Sequence, residues 1–300
     1  MRNRKNIVLC CALVGLLACL LSLSGCNDVS AHQEKEGGSS SQGSSSSTAP
    51  DPASSTPASA PEDGSSSSVS AQPQPDGSEQ EPSTGSYDFS SPVPESDPVD
   101  NSYFQDAAFI GDSRTDGFLI YSGIGCGENL TSNGLSIFKL EEKKAITIDG
   151  QSYTILEALE RKQYGKVYLS LGINELGYFN DQGFYEAYCR AIDAIRACQP
   201  NAVIYIQGLS PLNESVIAET GGASYLTNEH LLVYNDLMKQ VAEEKQVAFL
   251  DLNPAFAGPD GQLPAEASRD GVHLSKAYCE QWLDYLKTQT VDYDTLYPAG

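Results

Sequence analysis

Ser113 follows a short apolar run, Ala107-Ala108-Phe109-Ile110, across Gly111-Asp112. A serine hydroxyl is a weak nucleophile until an adjacent base takes its proton. The chain has three histidines, His32, His230 and His273. His32 lies in a Ser-rich stretch and His230 inside a long helical pattern, so His273 is the candidate base. Asp270 stands three residues before it, in Asp270-Gly271-Val272-His273. A tight turn there brings the carboxylate to the imidazole, where it would fix the tautomer and stabilise the imidazolium. Asp251, at another expected strand end, is the second candidate for the acid. The backbone N–H groups of Ser113 and Gly134 and the side-chain amide of Asn174 could supply three donors to an oxyanion. The chemistry these types define together is acyl transfer through a covalent serine adduct. Each also has a plainer structural role. Ser113 suits a helix cap, Gly134 a bulge or close backbone approach, Asn174 and Asp270 a turn, and His230 helix packing.

These residues are far apart in sequence and need a scaffold to bring them together. The apolar run before Ser113 reads as a strand and 114–121 as a helix. Residues 130–138 read as a second strand with Gly134 at its centre. Residues 144–155 carry an Asp149-Gly150 turn between alternating segments, the pattern of a hairpin. This hairpin is read either as a flap or as a plain insertion. Helices are expected over 154–161, 184–198, 225–245 and 274–288, and strands over 167–171, 203–207 and 247–252. Apolar strands alternating with helices imply a parallel sheet covered on both faces. In such sheets, sites form beyond the carboxyl ends of the strands. Ser113, Asn174 and the 270–273 turn all fall at strand ends or in loops.

The residues also carry a family resemblance. Gly111-Asp112-Ser113, Gly134, Gly172-Ile173-Asn174 and Asp270 with His273 occur in the order of the four blocks of the SGNH, or GDSL, hydrolases, which they resemble over about residues 103–290. The resemblance implies a three-layer α/β/α flavodoxin-like domain with a parallel central sheet. It also implies an esterase, lipase, deacetylase or acyltransferase activity. It gives Ser113, His273 and Asp270 the catalytic roles and places Ser113, Gly134 and Asn174 in the oxyanion hole. No cofactor is expected, and with two of the three histidines poorly placed no metal is expected either. Two positions depart from the pattern. Arg114 stands where leucine is usual and Glu175 where aspartate commonly follows the asparagine. Neither is expected to touch the reacting groups. Arg114 is expected in a surface ion pair with a carboxylate such as Asp116 or Glu175, with binding of an anionic substrate group as the alternative. Gly177-Tyr178-Phe179-Asn180 could line the crevice.

The remaining sequence reads as an address and a tether. Arg2, Arg4 and Lys5 precede an apolar run over 7–23 that closes on Leu23-Ser24-Gly25-Cys26. This is the layout of an export signal, and its end resembles the lipobox of bacterial lipoproteins. Residues 1–25 are expected to be removed and Cys26 to be lipidated. Residues 26–100 are rich in Ser, Pro, Gly and acidic side chains, with no aromatic residue until Tyr87. Such a segment is expected to be a disordered linker, with an r.m.s. span of roughly 45 Å. Residues 101–300 then form the domain, held on the extracellular face of the membrane by the lipid alone.

The 300 residues hold 18 basic and 40 acidic side chains, a formal net charge of −22. Residues 101–300 hold 14 basic and 27 acidic side chains, a net of −13. That balance argues against nucleic acid as a partner and against electrostatic docking on an anionic membrane. No G-x-S-x-G, H-E-x-x-H, Walker or CxxC motif is present. Cys126, Cys189, Cys198 and Cys279 remain in the domain, and their pairing stays open. The leading expectation is a tethered serine esterase acting on acyl esters of a small molecule or glycan. An O-acyltransferase of the same family and a non-catalytic glycan- or ligand-binding lipoprotein are the alternatives. Labelling of Ser113 by a fluorophosphonate separates the enzymes from the binder.

Overall fold

The computed structural model of the chain describes residues 86–299, so Cys26 and the expected signal lie outside the described residues. β1 (Ala107–Gly111) is buried along its whole length, as a central strand covered on both faces must be. It pairs in parallel with β2 (Glu128–Thr131) on one side and with β5 (Lys166–Ser170) on the other. β6 (Val203–Gln207) and β7 (Ala248–Leu250) continue the parallel sheet, which runs β2-β1-β5-β6-β7. The short β3 (Ile146–Ile148) and β4 (Gln151–Tyr153) form a separate antiparallel hairpin. Its turn places Asp149 and Gly150 at positive φ, 52° and 78°, as a type I′ turn demands.

Alternation along the strands separates two cores. Ala108, Ile110, Val167, Leu169, Ile204 and Ile206 face α2 (Ile155–Leu159), α3 (Asp181–Cys198) and α5 (Asn228–Lys245). Ala107, Phe109, Tyr168, Val203 and Tyr205 face α1 (Ser113–Tyr121) and α7 (Lys276–Thr288). On this second side Phe109, Tyr168 and Tyr205 occupy matched register positions and stack. Their centroids are 5.0 and 4.6 Å apart, with interplanar angles of 11° and 3°. Such cross-strand aromatic pairs add about 0.5–1.5 kcal/mol each beyond their burial. The result is the three-layer α/β/α fold with a parallel central sheet that the sequence implies.

Three local expectations change. The second strand stops at Thr131, and residues 132–138 are not strand. Ser132–Leu135 is instead a turn closed by the Leu135 N–H on the Ser132 carbonyl at 2.9 Å. Gly134 holds its third position at φ 65°, where a type II turn needs glycine. α4 (Glu214–Glu219) and α6 (Asn253–Phe256) were not anticipated, because their six and four residues are too few to show a period. The folded chain also begins ahead of residue 100. Val93 is buried, and its N–H donates to the Phe249 carbonyl at 2.8 Å.

The strand order fixes where a site can form. From β1 the chain moves outward to β2, then returns to the other side of β1 for β5. The carboxyl ends of β1 and β5 therefore flank the point where the order reverses, the usual crevice of open α/β sheets.

Candidate active site

Ser113 is the first residue of α1, directly beyond the end of β1. The helix cap is Asp112, whose carboxylate accepts from the Arg114 N–H at 2.9 Å. Capping by Asp112 leaves the Ser113 hydroxyl free to face the crevice. The His273 Nε2 lies 2.8 Å from the Ser113 Oγ. On the other side of the ring, His273 Nδ1 lies 2.7 Å from Asp270 Oδ2. With the ring proton on Nδ1, held by Asp270, Nε2 is left to accept from the serine hydroxyl.

The Asp270 carboxylate is fixed by its own turn. Oδ1 accepts from the His273 N–H at 2.8 Å, the Val272 N–H at 2.9 Å and the Ser268 hydroxyl at 3.0 Å. Partial burial pushes its pKa up, but the bonds from the His273 N–H, the His273 ring and the Val272 N–H outweigh that and hold it at about 2. The turn depends on Gly271, which sits at φ 79°. A Cβ there would run into the Asn213 carbonyl, and the Gly271 carbonyl itself accepts from the Asn213 N–H at 3.0 Å. The turn is thus docked flush on the start of α4.

Asn174 follows β5 in a short 3-10 turn, Ile173–Glu175. It lines, with Ser113 and His273, a cavity of about 370 Å³. Its Nδ2 donates to the Leu135 carbonyl at 3.0 Å and to Asp112 Oδ2 at 3.3 Å. Gly134 lies one residue before that carbonyl and does not line the cavity. No atom lies within 4 Å of the place its Cβ would take, so φ and not crowding requires glycine there. The geometry brings Ser113, His273, Asp270 and Asn174 to one opening and leaves Gly134 in the adjoining turn. Asp251, the second candidate acid, caps Asn253 at 3.1 Å and lines a different cavity. His230 is in the first turn of α5. Its ring nitrogens lie 2.8 Å from the Leu176 carbonyl and 3.0 Å from Asp181 Oδ1, tying down the loop after β5.

Arg114 is not in a surface ion pair. As the second residue of α1 it is buried, and its guanidinium donates to the Ser210 carbonyl at 3.3 Å and to the Ser210 hydroxyl. Glu175 is buried too, with Oε1 accepting from the Ile137 N–H at 2.5 Å. Burial pushes its pKa up to about 7, against the hydrogen bonds from Ser136 and Ile137. Asp112 is pushed by burial to about 6, against the Arg114 N–H and the Arg114 charge. Asn174 and Glu175 therefore grip residues 135–137 from one short turn, which fixes the Gly134 turn beside the crevice. Sequence reasoning passed over this clamp and the Ser268 contact. Both rest on polar side-chain contacts that no periodicity marks, although Asp112 as a cap was open to the N-cap rule. The four cysteines of the domain are free thiols. Among the described residues no group of three or more His, Cys, Asp or Glu could hold a metal ion.

A doubly wound sheet with a hydroxyl, an imidazole and a carboxylate in series at its switch point defines the class. The chain belongs to the GDSL-like Lipase/Acylhydrolase family, whose profile matches residues 109–278. A structure described as a platelet activating factor from Streptococcus pneumonia aligns with a TM-score of 0.51 at 21% identity, over 66% of this chain and 85% of its own. A GDSL-like lipase from Bacteroides thetaiotaomicron VPI-5482 aligns at 0.44 and 12% identity, over 62% and 87%. The periplasmic domain of a lipopolysaccharide acetyltransferase from Salmonella ser. Paratyphi A aligns at 0.44 and 18%, over 61% and 82%. At 21% identity the first of these likenesses is one of fold. No curated protein matches the chain.

Proposed function

We propose that the protein is a serine esterase that cleaves acyl esters through an acyl-enzyme on Ser113. The observation that carries this reading is the unbroken relay from the Ser113 Oγ through His273 to Asp270, at 2.8 and 2.7 Å. The Ser113 oxygen attacks the ester carbonyl carbon, and its proton passes to His273 Nε2. Asp270, held ionised by its donors, stabilises the imidazolium. The negative charge moves to the former carbonyl oxygen, to which the Ser113 N–H at the start of α1 and the Asn174 amide would donate. The 3.3 Å contact from Asn174 to Asp112 is the weaker of its two and the one this oxygen would displace. Collapse expels the alcohol, which takes the proton from His273. Water then attacks the acyl-enzyme, gives its proton to His273, and the second collapse returns Ser113 and a carboxylic acid.

The test is a fluorophosphonate probe with short aryl esters. The wild type is expected to be labelled at Ser113. Ser113→Ala is expected to lose labelling and to drop at least about 10³-fold in kcat/KM. Wild-type hydrolysis by the variant overturns the reading. Added glycan distinguishes transfer from hydrolysis by its products, and a folded protein that takes no label is a binder.

The same proposal includes the address. Removal of residues 1–25 and lipidation of Cys26 would hold the domain outside the cell membrane, since two acyl chains anchor stably where one is marginal. The mass of the detergent-extracted protein is expected to lack residues 1–25 and to carry added acyl mass on Cys26. A protein that retains its first 25 residues contradicts this.

A further inference from the structure

His273 and Asp270 line two cavities. The first, of about 370 Å³, also takes Ser113 and Asn174 and is walled by Ile217, Leu226 and Val272. The second, of about 400 Å³, takes Tyr121, Arg269 and Lys276 and does not include Ser113. If the serine esterase reading holds, the two have different tenants. The acyl carbon is bonded to the Ser113 Oγ, so the acyl group occupies the first cavity, among its apolar side chains. The leaving oxygen must meet the proton on His273 Nε2, so the alcohol departs past His273. The second cavity is the other opening that His273 lines.

That cavity has the opposite sign to the molecule around it. Residues 101–300 carry a net of −13 with only 14 cationic side chains, and two of them stand on this one rim. Both are exposed. Arg269 makes no ion pair among the described residues. Among the described residues Lys276 has only Glu280, one turn along its own helix at 3.5 Å, with side chains 71% and 50% exposed. Exposed pairs of this kind are weak and leave the cation free to exchange partners. The one carboxylate in the lining, Asp270, is committed to four donors already. The first turn of α7 also opens here, and the Ser275 side chain does not cap it, which adds positive potential of the same sign. Tyr121, 51% exposed, offers a ring face beside the cations.

We propose that the site takes an ester whose alcohol carries an anionic group, a carboxylate or a phosphate, and that Arg269 and Lys276 hold that group while His273 protonates the leaving oxygen. Against a surface of net negative charge, this cationic rim also draws an anionic substrate to the histidine side of the crevice. The neutral first cavity sets the acyl group, and the rim selects the alcohol.

The experiment compares kcat/KM for two aryl acetates of matched leaving-group basicity, one neutral and one bearing a carboxylate on the leaving group. The wild type is expected to favour the anionic ester by about tenfold at low salt, and the preference is expected to shrink as salt screens it. The ratio is expected to fall to near one in the double variant R269Q/K276Q and to invert in R269E/K276E, with melting curves confirming that both are folded. An O-acetylated carboxylated sugar and an O-acetylated polyol phosphate identify which anion is the source, by which ester loses more in the double variant. An active wild type without charge preference, or a preference that survives in the double variant, overturns the cationic subsite alone. No labelling and no hydrolysis of any ester overturns the esterase reading and the subsite with it.

Discussion

Glu175 is a carboxylate that the fold keeps from water. One of its oxygens holds the Ile137 N–H, and the other is buried without a partner among the described residues. Burial and the neighbouring Asp112 both disfavour its charge, and its pKa stands at about 7 against an ordinary 4.5. Asp112 stands at about 6 for the same first cause. Folding therefore favours the protonated forms. Their contribution to stability is fully present below the ordinary carboxylate range and is lost as pH rises through about 6 to 7. Glu175→Gln is neutral at every pH and keeps an oxygen for Ile137. Its melting temperature is expected to gain on that of the wild type between pH 5 and pH 8, by several degrees at the upper end. Paired melts across that range check this, and a difference independent of pH contradicts it. At this scale the sequence was informative about the candidate site residues that the fold brings together and silent about their supports. Ser113, His273 and Asp270 stand out in it because few residue types suit the chemistry expected of them. Glu175 stood in the sequence as a minor departure, and only burial makes it matter.

Among elements, legibility followed length and pattern. The buried strands β1, β5 and β6 are continuous apolar runs, and the sequence places them to within a residue or two. α3 and α5 have 18 residues each, enough for a 3.6-residue period to show, although the long helix starts at Asn228 and not at 225. Thr227 caps it there through the His230 N–H, a local hydrogen bond that overrides the apolar pattern before it. The second strand misled for a related reason. The apolar residues around Gly134 alternate as a strand would, but Leu135 and Ile137 are buried from a turn and a 3-10 segment. Their burial comes from the clamp by Asn174 and Glu175, a contact about 40 residues away in sequence that a local pattern cannot carry. The site follows the same division. The strand ends that carry Ser113 and Asn174 were readable, whereas the turn between them depends on tertiary hydrogen bonds.

At the scale of the whole molecule, composition hid where the fold begins. Tyr87, Phe89 and Val93 sit among Ser, Pro and acidic residues and share their low apparent order. In the structure this segment runs along an edge of the sheet. The Val93 N–H reaches the Phe249 carbonyl of the edge strand β7 at 2.8 Å, and the Ser96 and Val99 N–H groups reach the end of α7 at Thr288 and Lys287, at 2.8 and 3.0 Å. Phe89 stacks on Tyr297 with centroids 6.1 Å apart, close to the end of the chain. An exposed edge strand presents unpaired backbone groups to any passing chain, and a covering segment removes that hazard. Residues 86–100 are thus part of the folded unit and not of the spacer. Burying one valine contributes about 1.5–3 kcal/mol, and each hydrogen bond about 1 kcal/mol. A chain beginning at residue 101 is therefore expected to melt at least about 5 °C below one beginning at residue 86, and to aggregate sooner once β7 is bare. The relay lies at the other end of the strands, so ester hydrolysis at low temperature is expected to survive the truncation. Calorimetry on the two chains decides it, and equal melting temperatures would return these residues to the linker.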